Sequence, residues 1–149
     1  FKDSDLFQLW QTNDLKFAKG KMLGEFYSYA KSNEFAKIMS SLTGLKLKPG
    51  ALDLAGSLYK SGNYLLCHDD QVEDRRLAYI LYLSKGFEEK DGARFLLFDN
   101  KKGKPGKETR AYSPEWNSLL IFEVSDISFH SVEENLSGKD RYAIGGWLH

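Results

Sequence analysis

The sequence predicts a mainly β domain, of sandwich, jelly-roll or small-barrel type, preceded by a helical segment. Three observations carry this. After Pro49 the chain breaks into short runs rich in Leu, Ile, Val, Tyr and Phe, separated by turn clusters every eight to twelve residues. Before it, Phe26, Ala30, Phe35, Ile38, Met39 and Leu42 recur near the 3.6-residue helical period. With 149 residues, 42% hydrophobic and 14% aromatic, the chain can bury one core but is short for two.

Taken in order, Ser4 and Asp5 can cap a short helical turn carrying Leu6, Phe7, Leu9 and Trp10. A helix is predicted over 25–42, where Ser32 and Asn33 interrupt the pattern and allow two shorter helices. Lys48-Pro49-Gly50 then marks the change of texture. Strands are predicted at 52–59, 64–68, 77–84, 94–98, 118–124, 127–130 and 141–147, with a polar hairpin tip at 99–107. The reading is one domain over 1–149, helical over 1–48 and β-rich over 49–149.

Composition excludes several classes. Twenty-one basic and 21 acidic residues give zero formal charge, which argues against direct nucleic-acid binding. No apolar run approaches the roughly 20 residues that span a bilayer, so no membrane partner is expected. A single cysteine, Cys67, rules out an internal disulfide framework and fits a reducing compartment. With no signal peptide visible, the expected location is intracellular, in cytoplasm or nucleus.

The chemistry concentrates around two of the three histidines. The run Asn63-Tyr64-Leu65-Leu66-Cys67-His68-Asp69-Asp70 takes an apolar strand into His68. In extended structure, residues two apart share a face, so His68 and Asp70 can point inward together while Cys67 and Asp69 point away. In a curled sheet His130, which ends the segment Asp126-Ile127-Ser128-Phe129-His130, can join them. Two neutral imidazoles and one carboxylate cover one face of a divalent iron octahedron. Three positions stay open for a chelating cosubstrate and dioxygen. Arg141, eleven residues later, can grip the far carboxylate of a dicarboxylic keto acid through paired hydrogen bonds. Tyr82 can add a phenolic bond there, and Tyr59 can reach the metal end.

Other residues read more plainly. Cys67 reads as a buried thiol, Phe129 and Trp147 as core or pocket wall, and His149 as a solvated end. The lysines at 101, 102, 104 and 107 read as a solvated tip. Asp74, Arg75 and Arg76 form a loop that is either solvated or passed by a peptide.

Leu65-Leu66-Cys67-His68-Asp69-Asp70 followed by 75–83, then Trp116-Asn117-Ser118-Leu119-Leu120-Ile121-Phe122-Glu123-Val124, Ser128-Phe129-His130 and Gly146-Trp147-Leu148-His149 together resemble the ribosomal prolyl hydroxylases. The resemblance runs from about Tyr59 to the C-terminus and extends weakly to the N-terminal helices. It implies a double-stranded β-helix (jelly roll, cupin-like) with N-terminal flanking helices. It implies His68, Asp70 and His130 as Fe(II) ligands, Arg141 and Tyr82 at the carboxylate of 2-oxoglutarate, and Tyr59 as a further cosubstrate contact. It also implies dioxygen as oxidant, ascorbate in support, and a procollagen-type prolyl 3-hydroxylation. The substrate would be a small-subunit ribosomal protein at the decoding centre, with succinate and carbon dioxide released. The sequence departs from the family in stopping at His149, where fungal and animal members carry a second domain, and in having Gly92-Ala93 for the usual Gly-Gly. Two other readings are an oxygenase of another substrate class and a non-catalytic cupin-like metal-binding module. Nucleic-acid demethylases of this fold usually have a second arginine after the cosubstrate-binding one, and none follows Arg141.

Overall fold

The computed structural model describes residues 1–72 and 74–149. Ten strands form one continuous antiparallel sheet curled into a half-barrel. They are β1 (Lys2–Asp3), β2 (Phe7–Gln11), β3 (Leu52–Tyr59), β4 (Tyr64–His68), β5 (Leu77–Tyr82), β6 (Phe95–Asn100), β7 (Pro105–Tyr112), β8 (Leu119–Glu123), β9 (His130–Val132) and β10 (Arg141–Leu148). Their order across the sheet is β7-β6-β9-β4-β2-β3-β10-β5-β8, with β1 paired to β2. The jelly-roll expectation is met. Two helices, α1 (Lys21–Ala30) and α2 (Asn33–Thr43), precede β3.

The helical reading of the first residues is corrected. Phe7–Gln11 is a strand, and a tertiary partner decides it. Phe7 and Gln8 pair with Leu65 and Tyr64 of β4, while Trp10 and Gln11 pair with Leu58 and Ser57 of β3. This strand therefore joins the two wings of the half-barrel. The predicted helix 25–42 is two helices that begin earlier and end later, and the break falls at Ser32. Its hydroxyl caps α2 by accepting from the Phe35 amide at 3.1 Å, and Gly44 ends α2 in the left-handed conformation.

Alternation along the strands sorts two cores. Leu54, Leu77, Tyr79, Ile144 and Leu148 face Leu15, Ala30, Phe35 and Met39, so the helices cover the outer face of the β3–β10–β5 wing. The opposite faces enclose Leu9, Tyr59, Phe95 and Val132 between the wings. At β10 the backbone approaches both neighbours closely. A Cβ at Gly145 would lie 2.6 Å from the Tyr79 carbonyl oxygen, and one at Gly146 would overlap that of Asp53, so only glycine fits.

Three other expectations change. The polar tip is narrower than 99–107, because Pro105–Tyr112 continues as an edge strand. Its residues are mostly exposed, so no apolar alternation marked it. His130 begins its strand rather than ending one, since the backbone over 127–129 turns before pairing starts. Cys67 is half-buried. Among the described residues, no helix is long and apolar enough to cross a membrane.

Candidate metal and cosubstrate site

Register builds the site. His68 ends β4 directly opposite His130 on β9, and their rings lie 4.2 Å apart, centre to centre. Simple alternation would give Leu65 and His68 opposite faces. A bulge between them sets three steps of β4 against two of β9 and brings both inward. Each imidazole is oriented from behind. Nδ1 of His68 donates to the Leu66 carbonyl at 2.8 Å, and Nδ1 of His130 to the Ser128 carbonyl at 2.7 Å. A carbonyl only accepts, so Nδ1 carries the proton and Nε2 turns its lone pair to the cavity.

Asp70 joins them, though not through strand alternation. It lies past the end of β4 with φ +61°, in the left-handed region. There its Oδ1 is 3.2 Å from His68 Nε2 and its Oδ2 is 3.3 Å from His130 Nε2. One donor atom from each residue can be chosen so that all lie within 4.8 Å of one another. Burial pushes the Asp70 carboxyl up, but the Nε2 atoms of His130 and His68, which hydrogen-bond to it whenever they carry a proton, outweigh burial and hold the group well below the usual carboxylate range. Burial likewise pulls the His68 imidazole down, and Asp70 beside it overrides this, leaving it raised. Both shifts register the same geometry, in which lone pairs converge on a point that calls for positive charge.

The surrounding side chains hold this geometry. His130 is 3% exposed, stacked on Phe95 and flanked by Phe122. The Ser128 hydroxyl donates to the Asp69 carbonyl at 2.8 Å, tying the loop that carries Asp70 to the turn before His130.

Arg141 is 2% exposed and lines the same cavity, of about 560 Å³, as His68, Asp70, His130 and Tyr59. Tyr59 is its cross-strand partner on β3, while Tyr82 lies diagonally across on β5, opposite Ala143. The guanidinium carbon sits 4.7 Å from the Tyr59 ring centre and 5.0 Å from that of Tyr82. The Arg141 Nε and the Tyr82 hydroxyl are buried without hydrogen-bond partners. Such groups call for an acceptor. Burial raises both phenols, Tyr59 to about 12, although Arg141 beside each works against it. They stay protonated at neutral pH and able to donate.

The structure thus brings His68, Asp70 and His130 together and sets Arg141 between Tyr59 and Tyr82. The sequence reading missed the role of Trp147. Its indole Nε1 donates to Asp70 Oδ2 at 3.0 Å, and the Arg75 guanidinium stacks 3.4 Å over its ring. Only its place on the inward parity of β10 with Arg141 hinted at this. It also missed Asn135, wholly buried, whose amide donates to the carbonyls of Tyr59 at 3.0 Å and Lys139 at 2.7 Å.

The donor set fits an iron centre. Two neutral imidazole nitrogens and a carboxylate suit a divalent ion, and the orphaned Arg141 donor suits a carboxylate in the same cavity, whereas Tyr82 lines a neighbouring pocket behind the guanidinium.

Comparisons agree. The chain is 38% identical over 150 residues to the prolyl 3-hydroxylase OGFOD1 of Xenopus laevis and 35% identical to that of Mus musculus, covering 99% of this chain in each. It is 34% identical to the prolyl 3,4-dihydroxylase OGFOD1 of Ostreococcus tauri. The chain spans 27–32% of the length of these relatives. A Pseudomonas putida prolyl-4-hydroxylase superposes with a TM-score of 0.71 at 19% identity, over 97% of this chain and 72% of that one. A Trichoplax adhaerens prolyl hydroxylase, solved with a hypoxia inducible factor peptide fragment, gives 0.73 at 17% identity, over 99% and 65%. Both share the fold. Residues 54–149 match the model of the 2OG-Fe(II) oxygenase superfamily, and the chain belongs to that superfamily.

Proposed function

We propose that this chain is the catalytic domain of a prolyl 3-hydroxylase acting on a protein, with a small-subunit ribosomal protein at the decoding centre as substrate. The observation that carries it is the pairing, in one cavity, of the His68–Asp70–His130 cluster with a buried guanidinium that has an unpartnered nitrogen. A structural metal site has no use for the second feature. The prolyl substrate rests on the named relatives, and the ribosomal target on the motif resemblance in the sequence.

In this reading His68, Asp70 and His130 hold Fe(II). Arg141 binds the distal carboxylate of 2-oxoglutarate through charge-assisted hydrogen bonds, with the Tyr82 hydroxyl as a further donor. Tyr59 contacts the cosubstrate closer to the metal. Iron with 2-oxoglutarate and dioxygen supplies the oxidising power, with succinate and carbon dioxide as co-products and ascorbate as a supporting reductant. The chain supplies orientation and dryness. Three protein ligands would leave room on a bound ion for cosubstrate and dioxygen, and Phe95 and Phe122 pack against the His130 ring.

The test is mass spectrometry of a proline-containing peptide from a small-subunit ribosomal protein after incubation with the chain, Fe(II) and 2-oxoglutarate. The expected result is a gain of one oxygen on proline with matching succinate, absent in His130→Ala. Succinate formed with no hydroxylated proline would point to another substrate class. Metal binding without any turnover would support a binding module.

A further inference from the structure

We propose that Trp147 is a positioning residue for the metal site: its indole N–H holds one oxygen of Asp70, so that the carboxylate offers a single oxygen to the ion, and Arg75 holds the indole in place. This rests on the metal-site reading above and extends it to two residues outside the ligand set.

The need arises at Asp70. Its backbone has left the β4 ladder and sits at φ +61°, so no strand fixes the direction of its side chain. Nor do the histidines choose between its oxygens, since Oδ1 faces His68 at 3.2 Å and Oδ2 faces His130 at 3.3 Å. The asymmetry comes from Trp147, whose Nε1 donates to Oδ2 at 3.0 Å. An indole N–H is a donor only and cannot itself be a ligand. With Oδ2 so engaged, Asp70 presents Oδ1. A carboxylate binding through both oxygens would occupy a coordination position that cosubstrate or dioxygen requires.

The backbone of Trp147 is fixed on both sides, paired with Asp53 on β3 and with Ala78 on β5. Its ring face is covered by the Arg75 guanidinium at 3.4 Å. Arg75 Nε is in turn 3.9 Å from the Asp53 carboxylate, which His149 Nε2 approaches at 3.5 Å. A cation over the ring draws electron density from the indole and makes its N–H a stronger donor. A tryptophan serving only as pocket wall would need neither the aligned N–H nor the stacked cation. Arg141 and Trp147 are six residues apart on the inward face of one strand, roughly 20 Å along it. The strand that supplies the carboxylate-binding cation thus also orients the metal-binding acid.

The test is titration of the full chain with Mn(II) alone, together with the visible absorption of the Co(II)-loaded protein. Trp147→Phe keeps the ring and removes the donor; Arg75→Met keeps the indole and removes the cation. Loss of an outer hydrogen bond to a metal ligand weakens affinity about 10–100-fold, so Trp147→Phe should bind Mn(II) about tenfold more weakly, with an altered Co(II) spectrum. Arg75→Met should lose about threefold, and the double variant should bind no more weakly than Trp147→Phe. Trp147→His, which restores an N–H, should recover part of the loss. Mn(II) affinity within twofold of the parent in both single variants, or an unchanged Co(II) spectrum in Trp147→Phe, would overturn the proposal. If Trp147→Phe does not fold, Arg75→Met decides in the same way. A parent protein that binds no Mn(II) would instead overturn the metal-site reading itself.

Discussion

Phe95 stacks on the imidazole of His130, with ring centres 5.2 Å apart and planes 23° from parallel. Phe95 is itself 1% exposed, so an element of the core also fixes the plane of a candidate metal-binding ring. Removing it should act on both. Phe95→Ala is expected to cost about 3–5 kcal/mol of stability through the cavity it leaves. The surviving folded fraction should bind Mn(II) more weakly, because the His130 ring gains freedom. Urea denaturation and metal titration on the same sample check the two effects.

Arg141 gives a prediction of opposite sign for stability. Among the described residues no carboxylate bridges it, so its burial is a cost until an acid arrives. Arg141→Met should leave the ligand-free protein as stable as the parent or more so. In the parent, 2-oxoglutarate at a hundred times its Kd should add about 2.7 kcal/mol, or about 5–10 °C in Tm for a chain of this size. The variant should show no such shift. Thermal scans with and without the keto acid, in the presence of Mn(II), would decide it.

The tyrosines beside Arg141 set an alkaline limit. Tyr59 titrates near 10 when unfolded and about 12 when folded, chiefly because burial disfavours the phenolate. For an acid raised by folding, the stabilising contribution is complete below pH 10. It shrinks as pH rises from 10 to 12, because the unfolded chain ionises first. The loss attributable to Tyr59 is about 2–3 kcal/mol. Tyr79 and Tyr82 are raised in the same direction by the same cause and add to it. Tyr59→Phe should therefore show a smaller drop in unfolding free energy between pH 9 and 12 than the parent, and should lack one late step in ultraviolet phenolate absorbance.

Asn135 ties the connection between His130 and Arg141 to the end of β3. Asn135→Ala would leave the carbonyls of Tyr59 and Lys139 without their donor, at a cost of about 2–4 kcal/mol. Because Tyr59 and Arg141 are cross-strand partners, the same variant should raise the KM for 2-oxoglutarate. Mn(II) affinity should change little. A parallel loss of both would show that the loop also carries the metal site.

How much of this was legible can be said residue by residue. The 52–59 and 64–68 strands match their predicted bounds, because each is a short run of leucines with a tyrosine, closed by turn residues on both sides. Phe7–Gln11 was misread because its apolar residues satisfy helical spacing as well as a strand's, and its two partners lie more than 40 residues away. Pro105–Tyr112 left no mark, being an edge strand with little to bury. The candidate ligands could be named because imidazole and carboxylate chemistry is local to each residue. The Trp147–Asp70 and Asn135–Tyr59 bonds could not, since an indole or an amide has no partner until strands 76 or more residues apart are brought together.

The amino-acid order by itself determined which chemistries this chain could host: three histidines, of which two could meet an aspartate, and one late arginine on an apolar strand. What only the tertiary structure decided was their convergence. The bulge in β4 turns Leu65 and His68 to the same side, and the left-handed backbone at Asp70 swings its carboxylate between two rings. The β3–β10–β5 register then sets Arg141 between two tyrosines. Register and bulges are properties of paired strands, fixed when distant segments bury their apolar faces against each other. No single run of residues contains them.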